Sequence, residues 1–321
     1  MKFVTSALVL LLVAGLLPTG LLAGCSDGDA REGGEGGETT AEQPASTAVS
    51  VVDQTGATVA LDKPAERVVT LTAASAEIVY AVGAGSTVVG RGEYCDWPAE
   101  ILDIPAVQSG SETNIEQIIA LDPDLVILAT MDQNPEQVAQ LTDAGIAVYV
   151  STATDIAQTY ESIEQIGVLF GREAEAAAIV DGMKASFDEL AAAQLSGTVY
   201  FEVSPLEYGL WAAGNATFMN EVAEIIGLEN IFADVEGWVE VSEEQVLERN
   251  PDYIVTVGMY FGEGLKPDEE VLARANWQGV AAVRNGAVIN FPNNEFARPG
   301  PRLAEGAVTL YDFIVAHPLA G

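Results

Sequence analysis

The chain has 321 residues, 49% of them hydrophobic, roughly twice the usual size of one domain and apolar enough for an ordinary core. Its 48 acidic against 13 basic residues leave a net charge of −35, which repels phosphate backbones and argues against nucleic acid as a partner. A single histidine, His317, and two cysteines, Cys25 and Cys95, leave no disulfide framework, no paired-cysteine zinc site and no Ser/His/Asp or Cys/His catalytic set.

Lys2 precedes an apolar run from Leu8 to Leu22, and Leu22-Ala23-Gly24-Cys25 closes it with small residues before a cysteine. A charged start, an apolar stretch and a small-residue cut site have the form of an export signal. This one resembles a bacterial lipoprotein signal, in which cleavage leaves Cys25 as the lipidated first residue. Pro18 and Gly20 interrupt a run already short for a bilayer span, which argues against a transmembrane helix. Residues 1–24 are therefore expected to be a leader. Residues 25–48 are expected to be a flexible acidic tether, with too little apolar surface to offset the entropy of ordering.

From residue 49 short β-branched runs alternate with helical stretches. Arg67–Leu71, Asp124–Ala129 and Ala147–Val150 read as strands, and Ala74–Val82 and Pro135–Asp143 as helices. Residues 49–172 are thus predicted to be an α/β lobe with a largely parallel sheet. Residues 173–195 carry no proline and one glycine, Gly182, and predict one helix of roughly 34 Å that can serve as a strut. Over 196–321 the alternation returns, with Thr198–Val203 and Tyr253–Val257 as strands and Phe218–Ile226 as a helix. Asn285-Gly286 reads as a turn ahead of Ala287–Asn290. Gly83, Gly85 and Gly90 follow a predicted helix and lack the spacing of a dinucleotide fingerprint.

The halves echo each other. Glu116-Gln117-Ile118-Ile119, followed by Pro123-Asp124-Leu125-Val126-Ile127, returns 128 positions later as Glu244-Gln245-Val246-Leu247, followed by Pro251-Asp252-Tyr253-Ile254-Val255. A second echo pairs Glu77-Ile78-Val79 and Val82-Gly83 with Glu221-Val222-Ala223 and Ile226-Gly227.

Four strings complete the pattern: GRGEYCDWPAE from Gly90, NIEQIIALDPDLVIL from Asn114, VSEEQVLERNPDYIV from Val241 and FARPGPRLAEG from Phe296. With the lipobox, the twin lobes and the mid-chain helix, they resemble the class III solute-binding proteins of ABC importers, the binders of cobalamin, siderophores and haem. The resemblance implies an α/β fold of two Rossmann-like lobes joined by one long α-helix, with the ligand between them. It implies no enzyme activity and no intrinsic cofactor or directly bound metal, only a metal chelate as cargo. It also implies a monomeric chain at the outer face of the cytoplasmic membrane or in the periplasm, held by its lipid anchor and partnered by an ABC permease with its ATPase.

The resemblance further implies that one glutamate per lobe, Glu116 and Glu244, meets arginines of the permease through charge-assisted pairs. Ligand contacts fall on Tyr94 and Trp97 after a first-lobe strand, on Tyr208 and Trp211 after the first strand of the second lobe, and on Trp238 ahead of the second glutamate motif. Tyr260, beside Phe261, follows a later strand. Arg298 could donate its planar fork to ligand oxygens, whereas Arg302 is expected to pair internally and Cys95 to be semi-buried. Gly110, Ser111 and Glu112, where an aromatic is expected, and Asn293-Asn294, in place of an acidic contact, depart from the cobalamin pattern. Haem is an alternative cargo, with Tyr94, Tyr208 or Met259 as axial ligand. The rival from another class is a surface-anchored hydrolase using Asp96 and Glu202 as acid and base.

Overall fold

The computed structural model describes residues 47–110, 112–129, 135–258, 264–291 and 295–319; the expected leader and nearly all of the expected tether lie outside them. The first elements are an antiparallel hairpin, β1 (Val49–Val52) and β2 (Thr58–Leu61). Asp53 shapes its turn: one carboxylate oxygen accepts from the Thr55 and Ala57 amides at 2.9 Å. The other oxygen accepts from the Val150 amide and ties the hairpin to the first lobe.

That lobe comprises β3 (Val68–Thr70), α1 (Ala73–Ala81), β4 (Val88–Gly92), β5 (Ala106–Val107), α2 (Ile115–Ala120), β6 (Leu125–Ala129), α3 (Pro135–Asp143), β7 (Ala147–Ser151) and α4 (Ile156–Leu169). Its sheet has the order β5-β4-β3-β6-β7, parallel throughout. The βα turns end at helix caps: Thr72, Asn114 and Asp155 each accept from a backbone amide three residues on.

The second lobe comprises β8 (Thr198–Ser204), β9 (Trp211–Ala213), α6 (Phe218–Ile226), β10 (Glu229–Asn230), β11 (Trp238–Glu240), α7 (Glu243–Arg249), β12 (Tyr253–Thr256), α8 (Pro267–Ala273), α9 (Ala281–Asn285), β13 (Val288–Asn290) and α10 (Leu303–Ala316). Its sheet order is β11-β9-β8-β12-β13, with β10 beside the start of β8. Counted within each lobe the strand order is the same, 3-2-1-4-5, once β10 is set aside. The sheets differ in that β9 runs antiparallel to both neighbours, which the alternating pattern alone did not reveal. Asn285-Gly286 closes α9, with Gly286 as a left-handed cap (φ 65°), and so does not form a free turn.

The repeated Pro-Asp pair does the same structural work twice. Asp122 (φ 49°) and Asn250 (φ 44°) adopt the left-handed conformation directly ahead of it, as residues with short polar side chains can. Asp124 then accepts from the Glu66 and Arg67 amides at 2.9 and 3.1 Å, fixing the start of β3. Asp252 accepts from the Thr198 amide at 2.9 Å, fixing the start of β8. Each aspartate thereby sets the position of the middle strand of its sheet.

Between the lobes runs α5 (Glu173–Ala191), 19 residues long and about 28 Å by helical rise. It is four residues shorter than the sequence predicts. Gln194 turns left-handed (φ 46°), and the Leu195 amide leaves the helix to bond the Ile226 carbonyl. The buried residues of α5 are Ala176, Val180, Met183, Phe187 and Leu190, at spacings of four and three that form one apolar stripe. The stripe belongs to a single core cluster with Val68, Leu125 and Ile127 of the first sheet and Val199, Phe201 and Val255 of the second. The helix packs on α1, α4, α6 and α10, so lobes and strut share one interior.

Candidate ligand-binding cleft

The segments leaving the carboxyl ends of the two sheets meet, and this is where α/β sheets take ligands. After β4, Arg91 holds the loop in shape by donating to the carbonyls of Gly92, Glu93, Cys95 and Ile104 at 3.2 Å. Cys95 is fully buried rather than half-buried as expected, its thiol 3.6 Å from the Thr70 carbonyl. Burial pushes that thiol up to about 11, so it is no nucleophile at neutral pH. With Cys95 facing inward, its neighbours Tyr94 and Trp97 are left outward, 66% and 46% exposed.

Glu77 of α1 lies at the junction, 4% exposed. Its carboxylate accepts from Arg298 Nη1 at 2.8 Å and from Arg302 Nη2 and Nε at 2.6 and 3.0 Å. Arg298 donates also to Asp96 at 2.7 Å. Burial works against the Arg298 charge, but the hydrogen bonds and charges of Asp96 and Glu77 outweigh it and raise its pKa. Arg302 stacks on Trp97, its guanidinium carbon 4.3 Å from the ring centroid. Arg302 therefore pairs internally as expected, and Arg298, taken from the sequence as a ligand donor, is engaged in the same way. A second tie joins the lobes at α6, where Phe218 N–H donates to the Thr154 carbonyl and Ile156 N–H to the Glu221 carboxylate, both at 2.7 Å.

In the second lobe Tyr208 is 76% exposed in the turn after β8, and Trp211, 39% exposed, opens β9. Trp211 pairs across the ladder with Glu240, and Ala213 with Trp238, so by strand alternation Trp211, Trp238 and Glu240 share one face. Trp238 is half-buried, edge-on to Phe218 with centroids 5.6 Å apart. Tyr260, Phe261, Met259, Ser111 and Asn293-Asn294 lie outside the described residues. Two surface hollows of about 500 and 430 Å3 lie elsewhere, one beside β2 and β7 and one between α5 and α10. Neither is lined by any of these aromatic residues.

Asp96 and Glu202, the acid and base of the hydrolase reading, are both occupied. Asp96 bonds Arg298, and both oxygens of the buried Glu202 accept from Arg274, at 2.7 and 2.8 Å. They also sit on different lobes. Among the described residues no group of three or more His, Cys, Asp and Glu converges on a point that could hold a metal ion.

Glu116 and Glu244 occupy equivalent places, the second residue of α2 and of α7, each helix following the edge strand of its sheet. Capping falls to their neighbours: Asn114 accepts from Gln117 N–H, and Ser242 and Gln245 form a reciprocal box. Both glutamates are exposed, and neither has an ion-pair partner among the described residues. The Glu244 carboxyl is held below its ordinary value by its own amide and the Ser242 hydroxyl.

The family model described as periplasmic binding protein matches residues 68–295, from the first strand of sheet one to the end of the second lobe's strands. The chain belongs to that family. Over 308 residues, 93% of this periplasmic binding protein and 94% of the relative, it is 32% identical to an uncharacterized ABC transporter substrate-binding lipoprotein of Bacillus subtilis. Over 250 residues, 77% of this chain and 89% of the relative, it is 32% identical to the vitamin B12-binding protein of Salmonella choleraesuis. The solved structure of an ABC-type Fe3+-hydroxamate transport system protein from Saccharomonospora viridis is 28% identical, with a TM-score of 0.69, covering 83% of this chain and 98% of that one. The architecture of this binding protein is accordingly that of class III: two Rossmann-like lobes joined by one long helix.

Sequence reasoning noticed Glu77 and Glu221 only as an echo. In the fold both reach across to the opposite lobe. The partners lie 221 and 225 positions from Glu77, and no local motif announces a pair so far apart.

Proposed function

We propose that this binding protein is the lipid-anchored, extracytoplasmic component of an ABC importer. It captures a bulky metal chelate, a corrinoid or a ferric siderophore, between its lobes, and it docks on the permease through Glu116 and Glu244. The observation that carries the reading is the set of four exposed aromatic side chains, Tyr94 and Trp97 on one lobe and Tyr208 and Trp211 on the other. All leave the carboxyl ends of sheets whose emerging segments touch at Asp96 and Arg298. A chelate presents apolar rims and hydrogen-bonding edges, which such rings accommodate. Trp238, beside Trp211, extends the second wall, and Tyr260 belongs to the same proposal by its place after β12. Arg298 takes part by joining the lobes. The relatives named for vitamin B12 and for Fe3+-hydroxamate transport support a chelate cargo, and the lipobox at Cys25 supports the anchor. Among the described residues no helix is long and apolar enough to cross a membrane.

The test is a tryptophan-quench and calorimetric screen against cyanocobalamin, cobinamide, haem and several ferric siderophores. One chelate is expected to bind stoichiometrically and tightly. Absence of binding across the panel refutes the reading.

A further inference from the structure

The charges around the proposed site are unbalanced in a specific way. Every arginine among the described residues donates to a partner within the fold. At the junction, Arg298 and Arg302 face three carboxylates, Glu77, Asp96 and, 3.8 Å from Arg302, Glu295, so the group keeps a negative surplus. Behind the second sheet, Arg274 faces two carboxylates, Glu202 and Glu270, and the group keeps a negative surplus. Arg91 is turned onto loop carbonyls. Lys266, exposed at the start of α8, is followed by Asp268, Glu269 and Glu270.

The carboxylates beside the exposed rings have no such partners. Glu93 adjoins Tyr94, Glu207 adjoins Tyr208, and Glu240 lies across the ladder from Trp211. All three are exposed, and none has an ion-pair partner among the described residues. The Glu240 carboxylate lies over Gly209, 3.8 Å from where a β-carbon would stand, which sets it beside the turn carrying Tyr208. Ring faces are themselves electron-rich and attract cations.

We infer that the cleft selects its chelate by charge, accepting a neutral or cationic complex and rejecting one with a net negative charge. The inference rests on the chelate-binding reading above and narrows it. Catecholate-type ferric complexes and haem with both propionates ionised fall on the rejected side, and trihydroxamate complexes and intact corrinoids on the accepted side. With two or three unpaired carboxylates at about 8 Å, each unit of ligand charge changes affinity on the order of tenfold at low salt.

The experiment uses the full chain and three series in which the core is constant and the charge varies. Ferric desferrioxamine B (one positive charge) is compared with its N-acetyl form (neutral) and its N-succinyl form (one negative charge). Aquocobalamin at pH 6.5 is compared with cyanocobalamin and a cyanocobalamin monocarboxylate, and haem with its dimethyl ester. In the series that binds, affinity is expected to fall about tenfold per step toward negative charge, and the steps should shrink in 0.5 M sodium chloride. A flat or reversed order within a binding series overturns the charge inference and leaves the chelate reading standing. Failure of every member of every series to bind overturns both. The Glu240→Gln variant, checked for an unchanged melting temperature, should reduce the step from about tenfold to about three- to fivefold. An unreduced step overturns the assignment of selection to this carboxylate.

Discussion

Replacing Glu77 by glutamine or alanine tests the junction directly. The wild-type carboxylate takes three hydrogen bonds from two guanidiniums in a site almost closed to water. Its loss leaves Arg302 without a buried counter-charge, while Arg298 keeps the half-exposed Asp96. Breaking a buried pair by removing one partner costs about 3–5 kcal/mol, because the remaining charge is stranded. With an unfolding entropy of about 2 cal/mol/K per residue over a folded part of about 270 residues, that corresponds to a fall in Tm of about 5–9 °C. The assay is thermal unfolding followed by circular dichroism. Glu66→Gln, which breaks only the exposed pair with Lys63, serves as the control and should move Tm by less than about 2 °C. A double-mutant cycle of Glu77→Gln with Arg302→Gln should return a coupling of about 2 kcal/mol or more. If Glu77→Gln and Glu66→Gln lower Tm equally, the junction is no more than a surface contact and the reasoning fails.

Three further outcomes follow from the same geometry. The double variant Glu116→Ala/Glu244→Ala should bind its chelate with unchanged affinity in calorimetry and show background uptake in whole cells; undiminished uptake removes the docking assignment. Trp97→Ala should weaken chelate binding about tenfold or more and take with it part of the fluorescence quench, since this ring is held between the cleft and Arg302. Burial first, and then the nearby Asp155 and Glu224, raise the pKa of the Glu221 carboxyl against the pull of the Ile156 amide. An acid raised in the folded state costs stability above its folded pKa and nothing below the unfolded one. Glu221→Gln should therefore melt above the parent at pH 7.5, and that advantage should disappear as pH falls to about 4; an advantage that grows on acidification would contradict the sign.

The sequence was most legible where a signal is local. Pro135–Asp143 and Phe218–Ile226 are found with their predicted limits, because a proline start in one and a threonine cap with a glycine stop in the other punctuate an amphipathic stretch. The doubled Pro-Asp string revealed two equivalent lobes, but not that its aspartates anchor β3 and β8, since those amides lie 54 to 58 positions away. At the site, the aromatic residues were legible as residue types near predicted strand ends. The antiparallel β9 and β11 that align Trp211 with Glu240 are three residues each, too short to carry a period. Arg298 was read as a donor in search of a ligand because composition cannot show that Glu77, on the other lobe, already accepts from it.

The shared interior also decides how binding must work. Met183, Phe187 and Leu190 of α5 are buried in the cluster that contains β3, β6, β8 and β12, so a wide parting of the lobes exposes them together with the Glu77 junction. Burial of three such side chains is worth about 5–9 kcal/mol, comparable to the whole binding free energy of a micromolar complex, about 8 kcal/mol. A ligand cannot both open this structure and bind it tightly, so the gap between the lobes must be nearly preformed. Adjustment is then confined to the short segments at the carboxyl ends of the strands. Small-angle scattering with and without the chelate should give the same radius of gyration within error, and a compaction on binding would show that α5 bends or that the shared core is divided.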